Sequence, residues 1–593
     1  MMYQYQESLP KLPLPTLAQT CDLYLQIVEP MLSEAEFLQT QEIVKDFQAG
    51  VGVKLHNQLE MIASSTKTSY VHDYREESFA EYRGILPINK NFGIILSPIA
   101  QPELPVSCLA ATWIADTLKF YLKIKHRELE PDRDSPRSGN QPMCMIQYDN
   151  LFGENRIPGI KRDTMLKASS QRDDKEHIII VRNGVFYLLE ALQGDKIAPI
   201  AEIEQQIDEI LAGTNLSTNS SEPPIGVLTA IERTPWAVLR QGIEALSPEN
   251  ARNLGLIDSA LFIVCLDDTK PTDLVTASQN MLHGDGRNRW FDKPLQIIFT
   301  DNGISGINVE HVGLDGYVIM RYLYEVNQER KKAEDNITIP NSVSSTFKLP
   351  LTPVTKLEWK LTPEIEESIR DAEKQVDTFI AAHEILVLDF QEFGRNFIKE
   401  QRFSPDAIVQ LAFQLAYFRL RNKIDCVYES VHTRRFKYGR TEAMRSLTPE
   451  SLELVKAITS DAAAETQYTA LKNAVNAHVS RQKDAQQGYG VDRHFAALRR
   501  LAIAQGITPA IFQDKAYKLL GDSPICTSSL AAGMGIDLFC FGQVVDHGYG
   551  IGYIIKPDAI TVNVTSKYQQ TGEYIQLLRE SLTDLANLMK SGR

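Results

Sequence analysis

Residues 291–326, FDKPLQIIFTDNGISGINVEHVGLDGYVIMRYLYEV, carry the clearest succession of strand, turn and helix in the chain. An apolar strand and a glycine-containing turn are followed by alternating Ile307 and Val309, which lead to His311. An apolar helix pattern begins after Asp315 and Gly316. His311 therefore falls where a strand gives way to a helix, a position at which a catalytic side chain is fixed on both sides. From spacing alone, a structural histidine is the alternative.

The same interleaving of strands and helices extends in both directions from this stretch. Amphipathic patterns with three-and-four spacing predict helices, and short apolar runs predict buried strands. Helices are expected over 35–48, 110–125, 202–213 and 580–591, and strands over 176–181, 184–191, 260–268, 293–300 and 559–566. This order is typical of an α/β or mixed α+β fold. A stretch rich in Pro and Thr near residues 345–365 is the best candidate for a domain boundary.

Composition excludes several classes of protein. The chain has 593 residues, 43% hydrophobic and 23% charged, which argues against a disordered, fibrous or membrane-embedded protein. No apolar run approaches the roughly 18 residues that a membrane span needs. The net charge of −14 gives no general attraction to nucleic acid or anionic lipid, so we expect neither as a partner. A phosphate-bearing ligand would need a local basic patch.

Cysteine usage and the start of the chain bear on the compartment. The seven Cys are scattered without a C-x-x-C pair, which supports neither a disulfide framework nor a thiolate metal site. The first residues lack the apolar run of a secretory segment. A reducing, cytoplasmic location is expected as the sequence stands, and a mitochondrial or peroxisomal one if a targeting segment is missing.

Two further stretches concentrate charged and polar groups. Residues 393–406, FGRNFIKEQRFSPD, bring Arg395, Lys399 and Arg402 close together in an otherwise acidic chain. A phosphate-bearing ligand would find counter-charge there, and a solvated helix face is the alternative. Residues 428–446, YESVHTRRFKYGRTEAMRS, place many polar groups beside an apolar helix, which favours a cleft wall over a plain surface.

A family resemblance rests on these motifs taken together. EHVGLDG, FGRNFIKEQRFSPD, YESVHTRRFKYGRTEAMRS, GVDRH and CFGQVVDHGYGIGY, with the opening LPKLPLPTLAQTCDLYL, closely resemble the choline/carnitine acyltransferase family over nearly the whole chain. The resemblance implies two similarly folded α/β domains of the coenzyme A-dependent, chloramphenicol acetyltransferase-like type, with an active-site tunnel between them. It predicts N-terminal helices in residues 1–85 that pack with a C-terminal domain 362–593, and an N-terminal domain 86–361 that carries the catalytic histidine.

The resemblance also implies roles for particular residues. His311 matches the general base, and Asp315 pairs with Arg440 as structural support of the site. Ser529, the last residue of an altered Thr527-Ser528-Ser529 motif, matches the oxyanion donor. The coenzyme A contacts match Arg395, Lys399, Ser404 and Asp406, and the carnitine contacts match Tyr428, Thr441 and Arg493. Phe539 falls where the family has a bulky residue in acetyl-specific members and Gly in medium- and long-chain members.

These matches predict reversible transfer of a short acyl group between acyl-coenzyme A and the hydroxyl of carnitine, with His311 as general base. Coenzyme A and carnitine are then substrates; no permanently bound cofactor and no metal are expected, and the family suggests a monomer. A medium- or long-chain carnitine acyltransferase is the first alternative. Choline acetyltransferase is less favoured because Arg493 suits a carboxylate, and a non-catalytic acyl-coenzyme A-binding protein is least favoured.

Overall fold

The computed structural model describes residues 1–97, 104–135, 139–166, 176–216, 222–335 and 352–591. The predicted fold class is confirmed, because helices and two mixed β-sheets alternate along the described chain. The helices are α1 Leu17–Val28, α2 Glu34–Ala49, α3 Val51–Ser65, α4 His72–Ala80, α5 Val106–Lys125, α6 Ile200–Leu216, α7 Arg233–Leu246, α8 Pro248–Ser259, α9 Leu274–Leu282, α10 Gly316–Asp335, α11 Pro363–Ala381, α12 Arg395–Glu400, α13 Pro405–Arg421, α14 Pro449–Thr459, α15 Ala464–Gln486, α16 Asp492–Ala504, α17 Lys515–Gly521 and α18 Thr571–Ser591.

The strands form one eight-stranded sheet, one six-stranded sheet and two short hairpins among the described residues. They are β1 Phe92–Leu96, β2 Asn155–Ile157, β3 Thr164–Leu166, β4 Ile178–Arg182, β5 Val185–Leu189, β6 Leu192–Gln193, β7 Lys196–Ile197, β8 Ile263–Asp267, β9 Leu295–Thr300, β10 Ser305–Val309, β11 Thr355–Lys356, β12 Glu384–Phe390, β13 Val427–His432, β14 Thr441–Met444, β15 Ile525–Ser529, β16 Ile536–Cys540, β17 Tyr549–Ile555 and β18 Ile560–Ser566.

The eight-stranded sheet has the order β11-β5-β4-β8-β9-β10-β1-β16. Strands β4, β8 and β9 run parallel in its centre, and antiparallel pairs flank them. These central strands are fully buried, so they read as continuous apolar runs in the sequence rather than as alternating ones. Strand β10 pairs with β9 on one side and with β1 on the other. This pairing holds the end of β10, and the residues after Val309, beside the buried core.

The six-stranded sheet has the order β12-β18-β17-β15-β13-β14. Strands β13 and β15 are parallel over only three residue pairs, from Val427 opposite Ile525 to Glu429 opposite Thr527. Beyond that point β13 continues beside β14, and β15 continues beside β17. The two central strands therefore part near the middle of this sheet, where their backbone groups no longer pair with each other.

Strand β16 connects the two halves of the chain. It comes from the last tenth of the sequence, yet it pairs antiparallel with β1 in the eight-stranded sheet. Strand β17 of the other sheet passes so close to β16 that a Cβ added at Gly552 would lie 2.2 Å from the carbonyl oxygen of Phe539. A glycine at this position thus allows the two sheets to approach each other.

The N-terminal helices pack against the C-terminal part of the chain. Tyr24, Phe47 and Leu55 from α1 to α3 share a buried cluster with Phe495 of α16 and Phe512. Helix α4, which follows α3 in the chain, contacts the residues after β10 through Arg75 and Phe79. The domain limits 1–85, 86–361 and 362–593 stay a prediction, and residues 345–351 of the expected boundary lie outside the described residues. Across the described ranges, none of the helices is long and apolar enough to cross a membrane.

The close approach at Gly552 generates a stability prediction. Gly552→Ala should lower the free energy of unfolding by about 1–3 kcal/mol, because the new methyl group must displace backbone of β16. Gly255→Ala is the matched control, since an added Cβ at this position in α8 meets no atom within 4 Å. Denaturant unfolding measures both variants. Equal midpoints for the two variants would contradict the packing described here.

Candidate functional site

The segment between β10 and α10 carries His311. The Nδ1 atom of His311 lies 2.5 Å from the carbonyl oxygen of Leu314. A carbonyl oxygen can only accept, so Nδ1 carries the proton of the neutral imidazole and Nε2 keeps its lone pair. Among the described residues, Nε2 has no hydrogen-bond partner. The turn thus sets the tautomer that a general base needs.

Aromatic rings surround the imidazole of His311. The rings of Phe79 and Phe92 approach it edge-on, with centroids 6.2 and 5.3 Å away. Burial lowers the pKa of His311 to about 4; Asp315 opposes this shift, and Arg75 and Arg440 add to it. Because the charged form is disfavoured by burial, the ring is neutral at physiological pH and available as a base.

Asp315 lies four residues beyond His311 and binds two guanidinium groups. Arg440 contacts both of its carboxylate oxygens, at 3.1 and 3.0 Å, and Arg75 contacts one at 3.3 Å. Gln147 donates to it at 2.9 Å. Burial alone would raise the pKa of Asp315, but Arg440 and Arg75 outweigh burial and hold that pKa well below its usual range.

Arg440 also fixes the backbone of the segment. It donates to the carbonyl oxygens of Val312 and, at 3.2 Å, of His311. On the other flank, Glu310 accepts from the backbone N–H of Val312 at 3.0 Å and pairs with the fully buried Arg156 at 3.0 Å. Residues on both sides of the base are therefore held by charged groups from distant parts of the chain.

The three residues that the resemblance assigned to carnitine come together. Arg493, at the start of α16, lies 3.3 Å from the hydroxyl of Tyr428 and 3.5 Å from that of Thr441. Its Nε donates to the carbonyl oxygen of Thr441 at 3.1 Å. A guanidinium only donates, so both hydroxyl oxygens accept from it and keep their own protons for another acceptor.

The residues assigned to coenzyme A lie on and after α12. Arg395 is half-buried and Lys399 is exposed, and both are on this short helix. Ser404 caps α13, where its hydroxyl accepts from the N–H of Ala407 at 3.4 Å. Asp406 accepts from the hydroxyl of Tyr553 at 2.7 Å.

Asp406 also belongs to a buried polar cluster with Glu429 and His478, whose spacing would suit a metal ion. Gln482 donates to Asp406 at 2.9 Å, however, and His478 Nε2 lies 3.3 Å from the same carboxylate oxygen. The pKa of Glu429 is well above its usual range, because burial and the neighbouring Asp406 both disfavour its charge. Burial and Asp406 thus favour a neutral Glu429, which in that form is a poor metal ligand.

Ser529 lies at the exposed end of β15, at the edge of the gap between β13 and β15. The next residue, Leu530, packs against Gly316, the first residue of α10. Thr527, earlier in the altered motif, accepts from Gln410 at 2.8 Å and donates to the carbonyl oxygen of Tyr428 at 2.9 Å. Strand β15 is thereby tied to the strand that carries Tyr428.

Phe539 lies in β16, 5% exposed, with its ring centroid 5.6 Å from Phe92 and 5.4 Å from Phe541. Since Phe92 contacts the ring of His311, Phe539 is one ring away from the candidate base. The rings of Phe541, Phe539 and Phe92 thus form a continuous series of contacts that ends at the imidazole.

Sequence reasoning missed several groups at this site. Helix α4 supplies Arg75 and Phe79, and Gln147, Arg156 and Phe92 add further contacts. None of them belongs to a motif that was singled out. Helix α4 reads HDYREESFA, a mostly polar sequence that indicates a solvated surface, so its role could not be predicted from composition.

Comparisons with known proteins place the chain in a family. The sequence model of the choline/carnitine O-acyltransferase family matches residues 12–583. Carnitine O-palmitoyltransferase 2, mitochondrial, from Homo sapiens is 32% identical over 99% of this chain and 92% of its own length. Carnitine O-acetyltransferase from Homo sapiens is also 32% identical, over 99% of this chain and 94% of its own length. A trichothecene 15-O-acetyltransferase structure from Fusarium sporotrichioides is a distant likeness, with 13% identity, a TM-score of 0.32 and coverage of 57% and 79% of the two chains.

The protein is therefore an acyltransferase. It belongs to the choline/carnitine O-acyltransferase family, as the resemblance of its motifs predicted.

The ion pairs of Asp315 generate a second stability prediction. Asp315→Asn should lower the free energy of unfolding by about 3–5 kcal/mol, because it leaves two buried guanidinium groups without their carboxylate. Asp371→Asn, which removes the partner of the exposed Lys374 on α11, should cost much less. Urea unfolding at neutral pH compares the two. A small effect at Asp315 would show that Arg440 and Arg75 do not depend on it.

Proposed function

We propose that this protein is a carnitine O-acetyltransferase, which reversibly transfers a short acyl group between acyl-coenzyme A and the hydroxyl of carnitine. The observation that carries the short-chain preference is the packing of Phe539 against Phe92, which in turn contacts His311. An acyl tail that extends past the base would meet this wall of rings. Close packing leaves no slack for added methylene groups, so acetyl and propionyl groups fit best.

The Nε2 atom of His311 is the proposed base. It removes the proton from the carnitine hydroxyl while the oxygen attacks the carbonyl carbon of the thioester. The tetrahedral intermediate then collapses, the carbon–sulfur bond breaks, and the same imidazole returns the proton to the leaving thiolate. The neutral tautomer fixed by Leu314 supports this double role.

Ser529 is the proposed donor to the oxyanion of the tetrahedral intermediate. Its exposed position at the end of β15 supports this role, since its hydroxyl is accessible there. The family resemblance adds the trimethylammonium group of carnitine as a second source of positive charge. Asp315 and Arg440 are proposed to hold the backbone of the His311 segment in place and to take no part in proton transfer.

The carboxylate of carnitine is proposed to bind Tyr428, Thr441 and Arg493. Both hydroxyl groups have a proton to donate, and Arg493 supplies the charge. Choline has no carboxylate to use these groups, so carnitine is the favoured acceptor.

Coenzyme A is proposed to bind on the other side, with its 3′-phosphate near Arg395 and Lys399. The gap between β13 and β15 offers unpaired backbone groups to the amides of the pantetheine arm. Ser404 and Asp406 line this side as further proposed contacts. We also infer a monomer from the family resemblance.

A medium- or long-chain carnitine acyltransferase is the second candidate. The similarity to carnitine O-palmitoyltransferase 2 supports this candidate as well, because that relative and carnitine O-acetyltransferase are equally similar to this chain. The two candidates differ in the acyl chain that the site accepts, so a profile of acyl chain lengths separates them.

His311→Ala tests the proposed base. Loss of proton transfer should reduce kcat by about a hundred- to ten-thousand-fold, with coenzyme A binding nearly unchanged. Thiol release from acetyl-coenzyme A with and without carnitine measures turnover, and calorimetry measures coenzyme A binding. A variant that keeps more than a tenth of wild-type kcat would overturn the assignment.

Phe539→Gly tests the chain-length proposal. The removed ring opens space in which a longer acyl chain can bury carbons at about 0.8 kcal/mol per methylene. The kcat/KM profile over even chains of two to sixteen carbons should therefore move toward octanoyl- or decanoyl-coenzyme A. Wild-type enzyme that already prefers palmitoyl-coenzyme A, or a variant with an unchanged profile, would show that Phe539 does not limit the acyl chain.

A further inference from the structure

Arg75 lies between the candidate base and the proposed carnitine site. It comes from α4, far from both in sequence, and its side chain is 14% exposed. One terminal nitrogen donates to the hydroxyl oxygen of Thr441 at 2.8 Å, and the other lies 3.3 Å from Asp315. Its guanidinium also lies over the ring of Phe79, 5.2 Å from the centroid. The side chain is thus held in one place by three contacts.

The hydrogen bonding around Arg75 is incomplete. Its Nε atom is buried and has no hydrogen-bond partner among the described residues. The hydroxyl oxygen of Thr441 accepts from Arg75 and lies 3.5 Å from a nitrogen of Arg493, so two guanidinium groups converge on one hydroxyl. A buried donor without an acceptor is costly. A ligand that accepts at this point would remove that cost.

Several guanidinium groups also lie close together at this point. Arg75 and Arg440 share the carboxylate of Asp315, and Arg440 also pairs with the partly exposed Glu76. The acidic neighbours of Arg493 are Glu442 and Asp492, of which Asp492 already pairs with Arg445. Burial raises the pKa of Glu442 to about 7, so this carboxyl group is only partly ionised at neutral pH. Burial and the guanidinium groups of Arg440 and Arg493 lower the pKa of Arg75 itself to about 9. An anion bound between Arg75 and Arg493 would relieve this repulsion.

We propose that Arg75 is a second guanidinium that binds the carboxylate of the acceptor, opposite Arg493 and across Thr441. This inference rests on the proposed function and deepens it. The acceptor class is then a hydroxyl compound with a carboxylate, and the site discriminates against esters of the same compound, which lack the carboxylate charge, more strongly than one arginine would allow.

A purely structural role is the competing explanation, since Arg75 also pairs with Asp315. The two explanations differ in what they predict. A structural role would change kcat for every acceptor, because it acts through the His311 segment. A binding role changes the KM for an acceptor that has a carboxylate and leaves the KM for the corresponding ester unaffected.

The test compares wild type and variants with two acceptors, carnitine and its methyl ester. The ester keeps the hydroxyl and the trimethylammonium group but loses the negative charge of the carboxylate. Arg75→Gln should raise the KM and the Kd for carnitine at least tenfold. It should leave the KM for acetyl-coenzyme A and the kcat/KM for the ester within about twofold. Arg75→Lys should fall between wild type and Arg75→Gln, because an ammonium keeps the charge without the planar fork.

Arg500→Gln is the matched control. Arg500 joins α16 to Glu77 and Glu81 on the same helix α4, without contact to Thr441 or Asp315. This control should leave all constants near wild type. Equal losses with carnitine and its ester, or an unchanged KM for carnitine in Arg75→Gln, would overturn the inference. Absence of carnitine-dependent thiol release in wild type would instead reject the proposed function itself.

Discussion

The salt bridge between Asp315 and Arg440 is the interaction on which the rest of the site depends. It joins the segment after β10 to the start of β14, and so links the two large sheets at the candidate base. Arg440 reaches the carbonyl oxygens of the same segment, and Arg75 adds a second guanidinium from the N-terminal helices. Three distant parts of the chain therefore meet at one carboxylate. A buried pair of this kind is costly to break, which makes the geometry of the segment specific.

Burial in an aromatic environment completes what the salt bridge begins. The rings of Phe79 and Phe92 contact the imidazole of His311, whose burial favours the neutral form, while Leu314 holds the proton on Nδ1. The same aromatic group continues to Phe539. The physical reason for a low histidine pKa and the proposed reason for a short acyl pocket are thus one packing arrangement.

Much of this could be predicted from local sequence, and some of it could not. The strand before His311 and the buried central strands follow from apolar runs, because burial on both faces leaves a simple pattern. The pairing of β16 with β1 could not be predicted, since an apolar run does not specify which strand it pairs with. Arg75 was missed for a similar reason: it meets Thr441 across 366 positions, and only tertiary packing sets that contact.

The most direct measurement is the nitrogen NMR spectrum of the protein labelled with ¹⁵N-histidine, with His311 assigned by its absence in His311→Gln. The account predicts a neutral ring protonated on Nδ1, with a pKa near the value of about 4 that burial imposes. A ring protonated on Nε2, or one that titrates near the ordinary value of about 6.5, would contradict it.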